Sequence, residues 1–333
     1  MQKEKILEVN NLRTHFNTKE GVVKAVNGVS FNLHKGEILG IVGESGAGKS
    51  VTGFSLLRLI DSPGEIVEGE IKYKDTDLLK MNKKRMNKIR GEKISMIFQD
   101  PMASLNPVLT IGRQLMEVLQ FHLNYSRKEA KNRAIELLEM VGISSPETRL
   151  KHYPNQLSGG MRQRVVIAIA LASDPEIIIA DEPTTALDVT IQAQIIGLMK
   201  NLIKDRQTSL IFITHDLALV SEIADRIMVM YAGDVIEHGR KSKIISNPVH
   251  PYTKGLIKSI PVMDRDQKRL EQIKGLMPSP LDLPDGCKFH SRCSRKSHRC
   301  RNYNNELIEI EKNHFATCSE ARQIKNDLIA GVG

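Results

Sequence analysis

An apolar strand that runs into a glycine-rich loop and leaves it as an apolar helix restricts a chain to few folds. Here the strand is Gly36-Glu-Ile-Leu-Gly-Ile-Val-Gly43 and the helix is the apolar stretch from Val51 to Ile60. The loop between them, Gly43-Glu44-Ser45-Gly46-Ala47-Gly48-Lys49-Ser50, fits the G-x-x-x-x-G-K-[ST] pattern. Its glycines let backbone N–H groups close on phosphate oxygens, Lys49 reaches the β- and γ-phosphates, and Ser50 carries Mg²⁺. The segment predicts an α/β chain that binds a nucleoside triphosphate.

Length and composition bound the rest. The 333 residues suggest about two domains, and 41% hydrophobic with 26% charged residues is ordinary for a globular protein. No apolar run is long enough to span a bilayer, and Met1-Gln-Lys-Glu-Lys5 lacks the apolar stretch of a secretory signal. The expectation is a cytosolic chain whose membrane role, if any, comes through a partner. A net charge of +9 suits nucleic acid or an anionic membrane surface. The basic residues are dispersed, densest at Lys83-Lys84-Arg85, Lys88 and Arg90, and with 4% aromatics and no Trp there is little to stack on bases. A solvated helix face is the better reading of that stretch.

Alternation marks short strands at Ile6-Leu-Glu-Val9, Val22-Val-Lys-Ala-Val26 and Val29-Ser-Phe-Asn-Leu33, punctuated by Gly21, Gly28 and Gly36. From Thr110 the pattern turns helical, and Ser126-Arg-Lys-Glu129 is a capping box before an amphipathic run ending at Gly142. Val165 to Ser173 reads as an apolar helix, and Glu176 to Ala180 and Ser209 to Thr214 as buried strands. Such alternation of strand and helix predicts a parallel sheet. Arg226 to Tyr231 and Val235 to His238, joined by Ala-Gly-Asp, predict a hairpin. Prolines 248, 251, 261, 278, 280 and 284 then crowd the chain and all four cysteines follow, so a domain boundary is placed near Ile245.

Ile177-Ile-Ile-Ala-Asp181-Glu182 puts two acids at the end of a buried strand. Phosphoryl transfer needs a carboxylate for Mg²⁺, which suits Asp181, and a group that activates the attacking water, which suits Glu182. Leu157-Ser-Gly-Gly-Met-Arg-Gln163 opens a helix whose first amides can face an anion. In this order, over about Ile6 to Ile245, these motifs resemble those of the ATP-binding subunits of ABC (ATP-binding cassette) transporters.

The resemblance implies a P-loop, RecA-like α/β core with antiparallel β and α-helical subdomains, the helical one at about 100–170, in a nucleotide-binding domain over 1–245. It implies that Ser158, Gly159 and Gly160 meet the γ-phosphate of ATP held by an opposite cassette, so that two cassettes sandwich two nucleotides. It further implies that Gln99 contacts Mg²⁺ and the attacking water while touching the membrane partner. Ala186-Leu-Asp188 would link the two sites and His215 would contact the γ-phosphate. Phe16 stands where the family stacks an aromatic on adenine, although a core strand residue reads the same way. The nucleotide-binding set is then Phe16, the loop Gly43 to Ser50 with Val51, Ser158, Gly159, Gly160 and Asp188; Ser50, Gln99 and Asp181 serve Mg²⁺, and Glu182, Gln99 and His215 the chemistry.

Asn247-Pro-Val-His250-Pro251-Tyr252-Thr253 and Gly275-Leu-Met-Pro278-Ser-Pro280 look like the C-terminal extension of oligopeptide, dipeptide and nickel importer ATPases, here 246–333. Cys287-x5-Cys293-x6-Cys300-x17-Cys318 suggests metal ligation before disulfides. The gaps are wider than zinc knuckles, and the resemblance implies a [4Fe–4S] cluster on four thiolates; zinc and no metal stay open. Lys288, Arg292, Arg295, Lys296, Arg299 and Arg301 would offset the charge of a cluster or of a zinc site, and His290, His298 and His314 read as surface histidines, with substitute ligation as the alternative. The implied function is ATP hydrolysis driving peptide uptake. The implied partners are two membrane permease subunits, a related second ATPase chain and, indirectly, an extracellular solute-binding protein, at the cytoplasmic face of the membrane. The alternatives are a soluble ABC ATPase acting on nucleic acid or ribosomes, supported by the charge alone, and a nickel or other-solute importer of the same group.

Overall fold

Aliphatic and β-branched runs set the strands of this chain. The computed structural model describes residues 4–185, 187–260, 272–303, 305–319, 321 and 325. Its strands are β1 (Lys5–Thr18), β2 (Gly21–His34), β3 (Ile38–Val42), β4 (Gly64–Tyr73), β5 (Thr76–Asp77), β6 (Ile94–Ile97), β7 (Ile177–Asp181), β8 (Ser209–Thr214), β9 (Arg226–Tyr231), β10 (Asp234–Arg240), β11 (Ile308–Glu311) and β12 (His314–Ala316). Pro261 and Ala186 lie outside the described residues. The chain divides into two units, one of Leu7–Asn32, Ile38–Leu79 and Ile213–Gly333, the other of Met1–Ile6, Leu33–Glu37 and Lys80–Phe212.

In the first unit, an antiparallel sheet has the order β2-β1-β4-β5. The short strands expected before Gly36 are in fact two of 14 residues each. Gly28 does not end β2. Its φ of 78° lets the alternation slip by one residue, so that Val26 is buried on one side of it and Val29, Phe31 and Leu33 on the other. The fully buried β3 pairs in parallel with β9, Leu39 opposite Arg226 through Val42 opposite Val229. β9 and β10 form the expected hairpin, turning at Ala232 and Gly233, whose φ angles of 47° and 85° match a primed hairpin turn. The sheet continues through β12 to β11, with Glu237 opposite Ala316 and Ile308 opposite Ala316 from the other side. Residues beyond Ile245 thus extend the sheet of residues before it. The helix after the phosphate loop spans Lys49–Leu56, shorter than its apolar run, because Arg58 turns out at φ 53°.

In the second unit β6 and β7 run parallel, Ile94 opposite Ile177, with β8 next to β7. Helices Ile111–Leu123, Arg127–Met140 and Gly159–Leu171 pack on one another through Leu115, Leu119, Leu137, Leu138 and Val165, all wholly buried. The capping box forms: Ser126 Oγ accepts from the Glu129 N–H at 3.4 Å and the Glu129 carboxylate from the Ser126 N–H at 2.8 Å. Among the described residues no helix is long and apolar enough to cross a membrane.

Candidate functional site

The phosphate loop is held by its own backbone geometry and by residues far along the chain. Gly48 caps the helix Lys49–Leu56 at φ 96°, and a Cβ there would collide with the Ala25 carbonyl, so no other residue fits. The side chain of Lys49, 4% exposed as a residue, curls over the loop and donates to the carbonyls of Gly43 at 2.8 Å and Glu44 at 3.0 Å. Its ammonium therefore stands within the loop that the phosphates would enter. Ser45 and Gly46 at the loop tip are exposed, Ala47 is buried, and Ser50 is half-buried on the first turn. Phe16 is half-buried on β1, opposite Gly64, and its ring lies so close over that glycine that a Cβ would fall 2.6 Å from it.

The acids occupy the other unit. Asp181 ends β7 and is 1% exposed, whereas Glu182 leaves the strand at φ 44° and is half-buried. That left-handed residue turns the chain where the strand stops. The Glu182 carboxylate accepts from Gln99 Nε2 at 3.1 Å and from Thr185 Oγ1 at 2.9 Å, both on Oε2. Sequence reading paired Gln99 with Glu182 only by role; the structure adds the direct bond and Thr185. Ser158 caps the helix Gly159–Leu171, its Oγ accepting from the Met161 N–H at 3.3 Å, and leaves Gly159 exposed and Gly160 half-buried at the helix start. Asp188 caps the helix Val189–Arg206 through the Ile191 N–H at 2.9 Å. His215, in the first unit, is exposed just past β8.

The four cysteines converge. Cys287, Cys293, Cys300 and Cys318 are not disulfide-bonded and line one small pocket with His250, His290, Phe289 and Arg295. Backbone joins them as well: the Cys287 N–H donates to the Cys300 carbonyl at 2.9 Å. Burial pushes the Cys287 thiol up to about 11, and the other three thiols add to it. No group of three or more His, Cys, Asp or Glu among the described residues is tight enough to hold one metal ion. Of the three substitute ligands proposed, only His290 lines the pocket. His314 is buried on Glu237 at 2.8 Å, and His250, which sequence reading passed over, takes a place there instead. Two of the six basic residues expected to offset charge at the thiols are spent elsewhere. Lys288 donates to Asp234 at 2.7 Å, and Arg292 grips Glu44.

Two family models match, ABC transporter over residues 26–185 and oligopeptide/dipeptide transporter, C-terminal region, over 236–300. The oligopeptide transport ATP-binding protein AppD of Bacillus subtilis (strain 168) is 51% identical over 94% of this chain and 96% of its own length. The chain belongs to the ATP-binding proteins of the peptide ABC transporters. The dipeptide transport ATP-binding protein DppD of Haemophilus influenzae (strain ATCC 51907 / DSM 11121 / KW20 / Rd) is 48% identical over 92% of both chains. The dimeric ATP-binding cassette MJ0796, solved in a post-hydrolysis state with ADP and Pi, superposes with a TM-score of 0.64 at 32% identity, covering 71% of this chain and 98% of that one. This peptide-transporter ATPase thus has the ABC ATPase fold, a mixed α/β architecture of parallel and antiparallel sheets.

Proposed function

We propose that this chain is the ATP-hydrolysing subunit that powers uptake of di- or oligopeptides through separate membrane permease subunits. The observation that carries it is that one chain matches both the ABC transporter model and the oligopeptide/dipeptide transporter C-terminal region. In this reading Gly43 to Val51 cradle the nucleotide phosphates, Lys49 carries their charge, and Ser50, Gln99 and Asp181 serve Mg²⁺. Phe16 supports adenine. Glu182 takes the proton of the attacking water, Gln99 orients that water and His215 meets the γ-phosphate. Ser158, Gly159, Gly160 and Asp188 serve the nucleotide of a second, related cassette; the dimeric state of MJ0796 supports such a pair. The cassette is residues 1–245 and the extension 246–333, functional divisions within a shared sheet.

For the thiol pocket we propose a [4Fe–4S] cluster ahead of zinc, on the number and spacing of its cysteines. The Cys287-x5-Cys293-x6-Cys300 gaps are wider than those of zinc knuckles, and no group of three or more His, Cys, Asp or Glu among the described residues is set to hold a single ion. A cubane spreads one thiolate to each of four irons, and four cysteines lining one pocket supply that donor set. Bound there on Cys287, Cys293, Cys300 and Cys318, it would supply a redox-active crosslink of the extension.

The location we assign is the cytoplasmic face of the membrane, reached through the permeases. The test is reconstitution with candidate permeases and a solute-binding protein in vesicles. ATP-dependent accumulation of labelled peptide supports the reading, and peptide-independent ATPase activity with no accumulation of any peptide counts against it.

A further inference from the structure

The extension touches the nucleotide loop at one carboxylate. Arg292, next to Cys293 and in the short turn His290–Arg292, sends its guanidinium to Glu44, the second residue of the phosphate loop. The pair is bidentate, Nη1 to Oε2 at 2.7 Å and Nη2 to Oε1 at 3.1 Å. Arg292 is itself held: Nε donates to the Lys274 carbonyl at 3.1 Å, and the guanidinium lies 5.8 Å from the ring centres of both Tyr231 and Phe289. Its side chain is 5% exposed and that of Glu44 31%, so the pair is shielded from water on the arginine's side and open on the carboxylate's. Phe289, which lines the cysteine pocket, packs against Tyr231 and Tyr252 with ring centres 5.3 and 5.5 Å away. Tyr252 fixes the same loop residue by its backbone, its hydroxyl accepting from the Glu44 N–H at 2.8 Å. The Met277 methyl abuts Gly46 further along the loop.

A carboxylate in a loop built to hold a polyphosphate opposes its ligand unless something neutralises it. We propose that Arg292 is a positioning residue for nucleotide binding. It cancels the charge of Glu44 and pins the loop, so the cysteine segment sets the affinity for the nucleotide's phosphates. This rests on the reading of Gly43 to Ser50 as an ATP site. Neither residue need touch the reacting atoms.

The test is MgATP binding by calorimetry on the full chain, for the wild type, Arg292→Gln, Glu44→Gln and the double variant, at low and high salt. Arg292→Gln should bind about tenfold more weakly at low salt, and less so at high salt, because an uncancelled charge is screened. Glu44→Gln leaves the Arg292 charge uncancelled beside the loop and should bind more tightly at low salt. The double variant should return to within about threefold of the wild type, since removing the carboxylate removes what Arg292 cancels. A residue needed only for folding would show no such rescue. Arg292→Gln binding like the wild type, a double variant no better than Arg292→Gln, or Glu44→Gln alone binding no more tightly than the wild type would each overturn the proposal. If Arg292→Gln does not fold, Glu44→Gln decides it. A wild type that binds no MgATP would overturn the ATP site, and this inference with it.

Discussion

Gln99 Nε2 and Glu182 Oε2 meet at 3.1 Å, joining the loop after β6 to the residue after β7. Thr185 Oγ1 donates to the same oxygen at 2.9 Å. Two donors on one carboxylate oxygen hold that oxygen in place. Glu182→Gln keeps the shape and removes the basicity. We expect MgATP affinity to change by less than about threefold while ATP turnover drops by about 100-fold or more. Steady-state ATPase assays beside equilibrium binding check this, and near-normal turnover would remove Glu182 from the role of base.

Lys49 acts on binding instead. Its ammonium already sits on the loop carbonyls of Gly43 and Glu44, where a phosphate would exchange for them. Lys49→Ala deletes a charge-assisted contact of about 2 kcal/mol, so MgATP affinity should fall by tenfold or more on the order of that energy. Calorimetry reads it directly; unchanged affinity would refute the assignment.

Purified without oxygen, the chain should carry about four irons and four sulfides and absorb broadly in the visible, as a Cys-ligated [4Fe–4S] cluster does. Cys300→Ser, at the most buried of the four thiols, should lower that content sharply. One zinc per chain without iron would turn the pocket into a zinc module and leave the ATPase reading untouched.

His250 gives stability an acid limb. Burial drives its imidazole down to about 4 from an ordinary 6.5, against the opposing pull of the Glu237 carboxylate and with a smaller push from Lys254. The ring is 2% exposed, and Nδ1 accepts from the Tyr252 N–H at 3.1 Å, a bond that only the neutral ring can make. Because the folded value lies below the unfolded one, the unfolded chain takes up the proton first as pH falls. Stability is complete above about pH 6.5 and declines toward pH 4, by on the order of 3 kcal/mol from this residue. His250→Asn, which keeps a capping oxygen, should flatten that part of a melting-temperature profile. An unchanged slope would assign the acid limb to other groups.

What was readable in the sequence was what local chemistry decides. The phosphate loop, the capping box at Ser126, the acids ending β7 and the β9–β10 hairpin follow from residue types at short spacing, and each stands where it was expected. Strand length was misread because a glycine was taken as a stop; Gly28 instead shifts the pattern within β2, which a local rule cannot foresee. The Arg292–Glu44 pair was invisible for another reason. It spans 248 positions, and an arginine among five other basic residues carries no mark of which one turns away from the thiols. His250 was likewise hidden, since a histidine before a proline reads as a turn until Glu237 and Phe289 are seen to enclose it.

The pairing of β12 with β10 covers a strand edge that would otherwise be open. Without it, β10 would present a bare row of amides and carbonyls beside the apolar Val235 and Ile236, an invitation to pair with another molecule. The extension moves that margin outward to β11, four residues long and carrying Glu309 and Glu311. A short, negatively charged border resists such stacking. A chain cut at residue 245 would lose this guard along with its cysteines, and should precipitate where the intact protein stays dispersed.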